Sequence, residues 1–310
     1  MALELAWLRT WVSVVDCGGF ARAAEQTHLS QPRVSAHIAN LERELGCQLI
    51  ERRVRPLTLT DDGRALLAQA RAVLAAADEL VDRSRAEHGI VAGSVNVASF
   101  VSGSAEFLPA VLVKLKNDHP GLTIGVLDGD VGFIETALSE RRVSVALRPL
   151  RPEPRDRALT MRPLWREPFV VLAPSGHPLL DKDAVDLGDL DGQHIITIGN
   201  PLANTTVGYE VDTELSIRDM IAPYSTVSHQ PTTLGAMVRA GLGVGVVNYL
   251  AATMVRGDGM EIRPIRDLDR HRDVGIWWHS ERPLNAAAKA FVRAVINAPL
   301  PAGTTPIPGA

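Results

Sequence analysis

Between Ser30 and Asn40 the chain sets Ser30, Gln31, Arg33, Ser35, His37 and Asn40 around an apolar series, Val34, Ile38, Leu41 and Leu45, that steps by 4, 3 and 4. That step gathers the apolar side chains on one side of a helix and leaves the polar ones on the others. A helix with polar side chains near its amino end is what reading base edges in a major groove requires. Arg33 can fork onto guanine, Gln31 or Asn40 can bond adenine, and the hydroxyls of Ser30 and Ser35 can take phosphate oxygens. His37 faces outward on the same helix and is expected to touch DNA or solvent. Arg52, Arg53 and Arg55 follow in a short β-like segment and would lie against the phosphate backbone.

These residues need elements to hold them. Leu5, Leu8, Val12 and Val15 mark one face of a helix over residues 4–17, ended by Gly18 and Gly19. A short helix from Phe20 to Thr27 follows, with Ala23 and Ala24 small where two helices must cross closely. Ser30 is placed to cap the third helix, and Pro32 sits in its first turn, where a missing N–H does little harm. Residues 48–60 read as a hairpin. Thr60 can cap the next helix, which runs without Pro or Gly from Arg64 to about Glu87. Its Leu66, Ala70, Val73, Ala77 and Leu80 step 4, 3, 4, 3, the seam of a coiled coil that would pair two chains; an amphipathic helix lying on its own domain is the alternative.

Beyond Gly93 the texture is α/β. Strands are expected at 95–98, 122–127, 143–147, 169–173, 194–198, 244–247 and 274–278, and helices at 104–118, 131–141, 230–240 and 284–296. Strands alternating with helices imply largely parallel sheets. Residues 298–310, rich in Pro and Gly, read as a flexible tail.

Residues 1–87 resemble the LysR-type transcriptional regulators. The matching positions are Phe20, Ala23, Ala24, Ser30, Gln31, Pro32, Val34, Ser35, Leu41, Glu42, Leu45, Gly46, Leu49, Arg52, Leu59, Thr60 and Gly63. Thr27, Ile50 and Arg33 depart from that pattern, and Arg33 would alter which bases are read. The run from Glu167 to Leu179, the segment Leu190–Ile196 and the glycine-rich run from Val238 to Val247 are similar to the family's effector domain. The resemblance implies an α/β fold with an N-terminal winged helix-turn-helix over 1–60, a linker and dimerisation helix over 61–88, and a two-lobed, periplasmic-binding-protein-like effector domain over 89–297. Lobe I would comprise about 89–162 and 267–297, and lobe II about 163–266.

A cleft between two such lobes should lie at strand ends and helix starts, where free N–H groups and hydroxyls meet a ligand. Ser99, Ser102 and Ser104 occupy one such loop, and the resemblance implies pocket lining for Ser102; helix capping is the alternative. Asp130 follows a strand at another pocket position and is equally suited to capping a helix. Arg148 could offset that carboxylate or form a surface ion pair. Asn200, Gln230 and Thr232 are the candidates from the second lobe.

Several chemistries are poorly served. No Gly-x-Ser-x-Gly occurs, the run Gly241, Gly243 and Gly245 comes after a helix and before a strand, the wrong order for a dinucleotide loop, and core packing explains it better. The nine His show no His-x-x-x-His pair, and two cysteines do not frame a zinc site. Cys17 and Cys47 also cannot staple a chain of 310 residues, which fits a reducing cytoplasm. Relatives that sense peroxide do so through cysteines in the effector domain, where this chain has none. Glu4, Arg9 and Asp16 interrupt the first apolar stretch, so neither a leader nor a membrane span is expected. The formal net charge of −4 argues against a non-specific architectural DNA protein, and any nucleic-acid face must be local.

The expected function is regulation of transcription by sequence-specific DNA binding, modulated by a small-molecule effector in the cleft, with no catalytic residues, cofactor or metal. The linker helix would pair two heads on an inverted repeat in double-stranded DNA. The resemblance implies a dimer of dimers, with RNA polymerase as a further partner. The alternatives are the same fold acting without an effector, a cleft-based enzyme and a solute-binding protein.

Overall fold

The computed structural model describes residues 3–51, 56–86, 91–199, 225–257, 259–266 and 271–309. Arg52, Arg53, Arg55 and Asn200 lie outside them.

The amino-terminal head is built from α1 (Leu5–Asp16), α2 (Phe20–Thr27), α3 (Gln31–Leu45) and the antiparallel pair β1 (Ile50–Glu51) and β2 (Thr58–Leu59). Each boundary has a local cause. His28 ends α2 in the left-handed region at φ 54°, and Gly46 ends α3 at φ 70°. Its core joins Leu8, Trp11, Val14, Ala23, Val34, Ile38, Leu41 and Leu49, so the apolar stripe of α3 is spent inward. Buried Glu42 accepts the N–H of Leu49 at 2.9 Å and ties α3 to the hairpin.

Helix α4 (Asp61–Ala86) starts three residues earlier than its apolar pattern suggests. Thr60 Oγ1 accepts the N–H of Gly63 at 2.9 Å, which caps the first turn. Gly63 is required there, because a Cβ would stand 2.2 Å from the carbonyl oxygen of Leu49. The expected seam divides. Ala70, with Leu67 and Leu74, is buried in the core of its own head, and Leu66 packs against the same core. Val73 and Leu80 remain outward, Leu80 at 73% exposure, and Val81 joins them. The first half of α4 must cover the head, so only its later apolar residues are left for a partner.

The carboxy-terminal part holds one sheet in the order β4-β3-β5-β11-β6-β9-β7-β8, with β10 also on β6. Its first lobe contains β3 (Gly93–Ser99), α5 (Val101–Glu106), α6 (Leu108–Asp118), β4 (Leu122–Asp128), α7 (Val131–Ser139) and β5 (Val145–Pro149). Strand β3 is parallel to β4 and β5. The long β6 (Leu159–Pro174) leads into β7 (Ile195–Ile198), β8 (Ser225–Ser228), α8 (Pro231–Arg239), β9 (Val244–Asn248), α9 (Tyr249–Val255) and β10 (Met260–Pro264). Finally β11 (His271–His279) and α10 (Ala286–Ile296) return to the first lobe. Instead of one helix over 104–118 there are two, broken at Phe107, because Pro109 must sit in the first turn of a new helix.

The strand β6 is the shared beam. Leu159 to Pro168 pair antiparallel with β11, and Phe169 onward pairs with β9. The first crossing therefore falls at Pro168–Phe169 rather than near 162; the second, near 267, lies outside the described residues. Sequence pattern marks only the apolar half of β6, because residues 159–168 carry Arg162, Arg166 and Glu167 between their buried positions.

Residues 298–309, expected as a tail, are docked. Thr305 and Arg166 exchange both backbone hydrogen bonds, at 2.8 and 2.9 Å, and Pro301 is buried. Gly303, at φ 74°, lies so close to the ring of Tyr249 that a Cβ would clash at 2.2 Å. Four prolines restrict the segment and reduce the entropy lost on docking, the reason this composition does not fray here.

Candidate nucleic-acid interface and effector cleft

On α3 the side chains of Ser30, Gln31, Arg33 and Ser35 are exposed, and among the described residues no hydrogen bond engages them. Ser30 holds the N-cap position with extended backbone but makes no side-chain capping bond, so its hydroxyl faces outward. Gln31 and Ser35 share one face and Arg33 stands on another, all near the amino end of α3, where the helix dipole also favours an anion.

His37 behaves differently from expectation. The hydroxyl of buried Thr10 donates to the carbonyl of Ala6 at 2.8 Å, so the 2.8 Å contact between Thr10 Oγ1 and His37 Nδ1 must be donated by the imidazole. His37 therefore ties α3 to α1, and only Nε2 is left for an outside partner. Asn40 Oδ1 accepts from Arg43 at 3.1 Å, leaving its amide nitrogen to donate. Both cysteines sit in the head. Cys17 Sγ bonds Gln26 Oε1 at 2.6 Å, and burial, aided by the Asp62 and Glu42 carboxylates, pushes the Cys47 thiol up and away from thiolate chemistry.

The cleft candidates of lobe I come together at the carboxyl ends of β3 and β4, although not as free groups. Ser99 is fully buried and donates to the carbonyl of Phe100 at 3.0 Å. Ser104 is the exception, with a buried hydroxyl that has no partner among the described residues. Ser102, also buried, lies 3.4 Å from Nη2 of Arg272. Asp130 caps α7, Oδ1 accepting the N–H of Phe133 at 2.8 Å, while remaining exposed. In lobe II, Gln230 occupies the N-cap of α8 without a side-chain bond, and Thr232 is exposed in its first turn.

Arg148 is neither a cleft cation nor a surface ion pair. Strand β5 runs two residues further than expected, so Arg148 sits within a strand buried along its length. Its guanidinium donates to the carbonyls of Pro149 and Pro152 at 2.9 and 2.6 Å, lies over Trp277, and stands 3.6 Å from Glu135.

Sequence reasoning missed the pair that governs this region. Arg272 Nε donates to Glu167 Oε1 at 2.7 Å and Nη2 approaches the same oxygen at 2.6 Å, while the guanidinium stacks on Phe100 at 4.3 Å. The second oxygen of Glu167 accepts the N–H of Leu250 at 3.1 Å, near the start of α9. The pair thus stands where both strands cross, touching lobe I through Phe100 and Ser102 and lobe II through α9. Both strands carry several charged residues, so neither Glu167 nor Arg272 stood out, and nothing in the sequence joins residues 105 apart. Thr197 Oγ1 and Asn248 Nδ2, near the carboxyl ends of parallel β7 and β9, were missed as well; both are buried without partners among the described residues. A cavity of about 180 Å³ opens elsewhere on lobe I, between Phe107, Arg162, Trp165 and Leu300, and contains none of the cleft candidates.

Gly243 supports the packing reading of the glycine run, since a Cβ there would meet the carbonyl of His194 at 2.1 Å. Among the described residues no group of three His, Cys, Asp or Glu side chains is arranged to hold a metal, and no helix is long and apolar enough to cross a membrane.

Residues 5–64 match the bacterial regulatory helix-turn-helix of the lysR family, and residues 88–299, more than half of the chain, match the LysR substrate binding domain. The chain belongs to the LysR family. This LysR-family protein is 30% identical over 254 residues to the probable HTH-type transcriptional regulator LrrA of Synechococcus elongatus, covering 82% of this chain and 83% of that one. Its fold is shared by a full-length OxyR variant from Pseudomonas aeruginosa, at 24% identity and a TM-score of 0.73 over 98% of both chains. It is shared too by CbnR in complex with its target DNA, at 23% identity and a TM-score of 0.66 over 94% of this chain and 99% of that one. The LysR-family protein is accordingly a transcriptional regulator with a DNA-binding head and an effector-binding domain.

Proposed function

We propose that this LysR-family regulator lays α3 in the major groove of double-stranded DNA and reads an inverted-repeat operator as a homo-oligomer. The observation that carries this reading is the exposed, unengaged set Ser30, Gln31, Arg33 and Ser35 on a helix whose opposite face is fixed by Val34, Ile38 and Leu41. CbnR, which shares the fold, was solved on its target DNA. Arg33 would read guanine and the hydroxyls would hold phosphate; Arg52, Arg53 and Arg55 would serve the backbone. Val73, Ala77 and Leu80 would pair two linker helices, two such dimers would form a tetramer, and RNA polymerase would be met at the promoter. Action in the cytoplasm, without catalysis, completes the reading.

In the cleft, Ser102, Ser104, Asp130, Gln230, Thr232 and Asn200 are the groups proposed to meet a small-molecule effector. Glu167 neutralises Arg272 and Arg148 is enclosed, so the pocket suits a polar ligand with hydroxyl or amide groups better than a bare carboxylate. A reading without any effector draws support from the way Ser99, Ser102 and Arg148 are already engaged.

Selecting duplexes from a random library with the purified protein, then titrating the winner and a scrambled copy at several salt concentrations, tests the DNA reading. Selective binding is expected; equal, steeply salt-dependent binding to both would remove it. Ser102→Ala should leave operator binding intact and impair response to a compound that shifts the wild type. A normal response in that variant would take Ser102 out of the pocket.

A further inference from the structure

Helix α7 connects two places in the molecule. Its N-cap is Asp130, on the edge of the cleft, and its C-cap is Glu140, ten residues on and about 15 Å away at 1.5 Å per residue. Ile134, Ala137 and Leu138 are buried in lobe I, so α7 moves with that lobe as one rod. Its last carbonyls face two arginines. Arg282, from the first lobe, donates to the carbonyls of Leu138 and Ser139 at 2.8 and 3.1 Å. The other comes from the linker helix: Arg71 Nη1 donates to the carbonyl of Glu140 at 3.0 Å and lies 3.6 Å from its carboxylate.

Arg71 has a second partner in the head. Its Nη2 donates to Asp16 Oδ1 at 2.5 Å, at the last residue of α1. The guanidinium is buried, with side-chain exposure of 5%, whereas Asp16 and Glu140 are each about half exposed. One buried cation thus joins the head, the linker and lobe I. From α1 the connection continues through Thr10 and His37 to α3, the reading helix.

We propose that Arg71 is the positioning residue that couples the effector lobe to the reading head within one chain. The Glu140–Arg71–Asp16 junction is made in one arrangement of the regulator and released in another. A buried guanidinium loses much when one of two partners leaves, so the junction favours discrete states over gradual slippage. When lobe I tilts, Glu140 moves at the far end of the rod. Arg71 then either follows it, turning α1 and α3, or lets go. The proposal rests on the reading that the amino end of α7 borders the effector cleft.

The test uses full-length protein and DNA alone, so its outcome is independent of whether the cleft holds a small molecule; the Ser102→Ala titration judges that separately. Arg71→Met keeps the volume and removes the charge, and the half-exposed carboxylates it leaves can return to water, so the fold is expected to survive. On a duplex carrying one half-site of the selected operator, affinity should stay within about twofold, as for a site remote from the bases. On the full operator, affinity should change by roughly 5- to 150-fold, the usual span of a coupling between sites, and the spacing of protected half-sites in the footprint should shift. A wild-type footprint and affinity on the full operator overturn the proposal. If Arg71→Met fails to fold, Glu140→Lys decides, since it places a cation against Arg71 from a half-exposed position. The same footprint shift is expected there, and a wild-type footprint overturns the proposal.

Discussion

The reading helix and the effector cleft are both built from polar side chains at the ends of secondary structure, yet they are held in opposite ways. Ser30, Gln31, Arg33 and Ser35 stand exposed with no hydrogen bond among the described residues, while Val34, Ile38 and Leu41 of the same helix pack inward. In the cleft, Ser99, Ser102 and Asp130 already have partners, and a buried ion pair stands where the strands cross. A surface meant for a large, charged polymer can keep its donors in water until they are used. Between the two lobes several polar groups are satisfied in the absence of a ligand, although Ser104, Thr197 and Asn248 each keep a buried polar atom without a partner among the described residues. Binding at the engaged groups therefore exchanges existing bonds and can move what they hold.

The sharpest way to break that contrast is to damage each region and compare stability with binding. Glu167→Gln should destabilise the fold by about 3–5 kcal/mol, because it strands a buried guanidinium; a urea melt measures this. Arg33→Ala should leave the melt within about 0.5 kcal/mol of wild type. Its cost, about 1–3 kcal/mol, should appear instead at the cognate operator, with relaxed base preference in a repeat selection. Equal melting losses in the two variants would erase the distinction.

A smaller effect separates the halves of α4. Leu80→Glu should raise the dimer dissociation constant in sedimentation and leave the monomer fold alone, whereas Ala70→Glu should destabilise the head itself. Identical outcomes would return Ala70 to the seam.

The smallest effect concerns acid. Burial, with help from the Arg282 cation, holds His279 below the ordinary histidine range despite Asp156 at 3.9 Å, so the imidazole is neutral at pH 7 and the contact is no ion pair. Because the folded state binds this proton less readily than the unfolded chain, stability is full above the ordinary value of about 6.5 and falls as pH drops through it. For Asp156, burial opposes ionisation, but bonds from the Ala158 N–H and Ser139 and the His279 and Arg282 charges prevail and lower its pKa. Its contribution is lost only at more acid pH. His279→Gln should flatten the melting-temperature profile below about pH 6.5, with little change above it; an unaltered slope would point to another group.

What the sequence made legible follows the range of the interactions. The stripe Val34, Ile38 and Leu41 is local and it located α3, although Leu45, expected on the same stripe, is 38% exposed. His37 looked outward only because its partner, Thr10, lies 27 residues earlier on a different helix. Arg148 looked like a strand-end residue because β5 runs two residues past its apolar pattern. Arg272 and Glu167 were invisible as a pair for the same reason that β6 looked short: both depend on strand partners about a hundred residues away. Proline content suggested a loose end at 298–310, yet what holds it is a backbone bridge to Arg166, which composition does not encode.

The strand order has a further consequence for the way the chain is made. Strand β5 reaches β6 only through β11, which leaves the ribosome after everything else in the sheet. About 105 residues separate the end of β6 from the end of β11, which at ordinary synthesis rates is roughly 5 to 20 seconds. Through that interval the elements of the head, all made by residue 86, can fold while the lobes that follow still lack the strand that joins them and leave sheet edges unpaired. Synthesis of this regulator therefore delivers its DNA-binding head before the effector-binding domain can close its sheet.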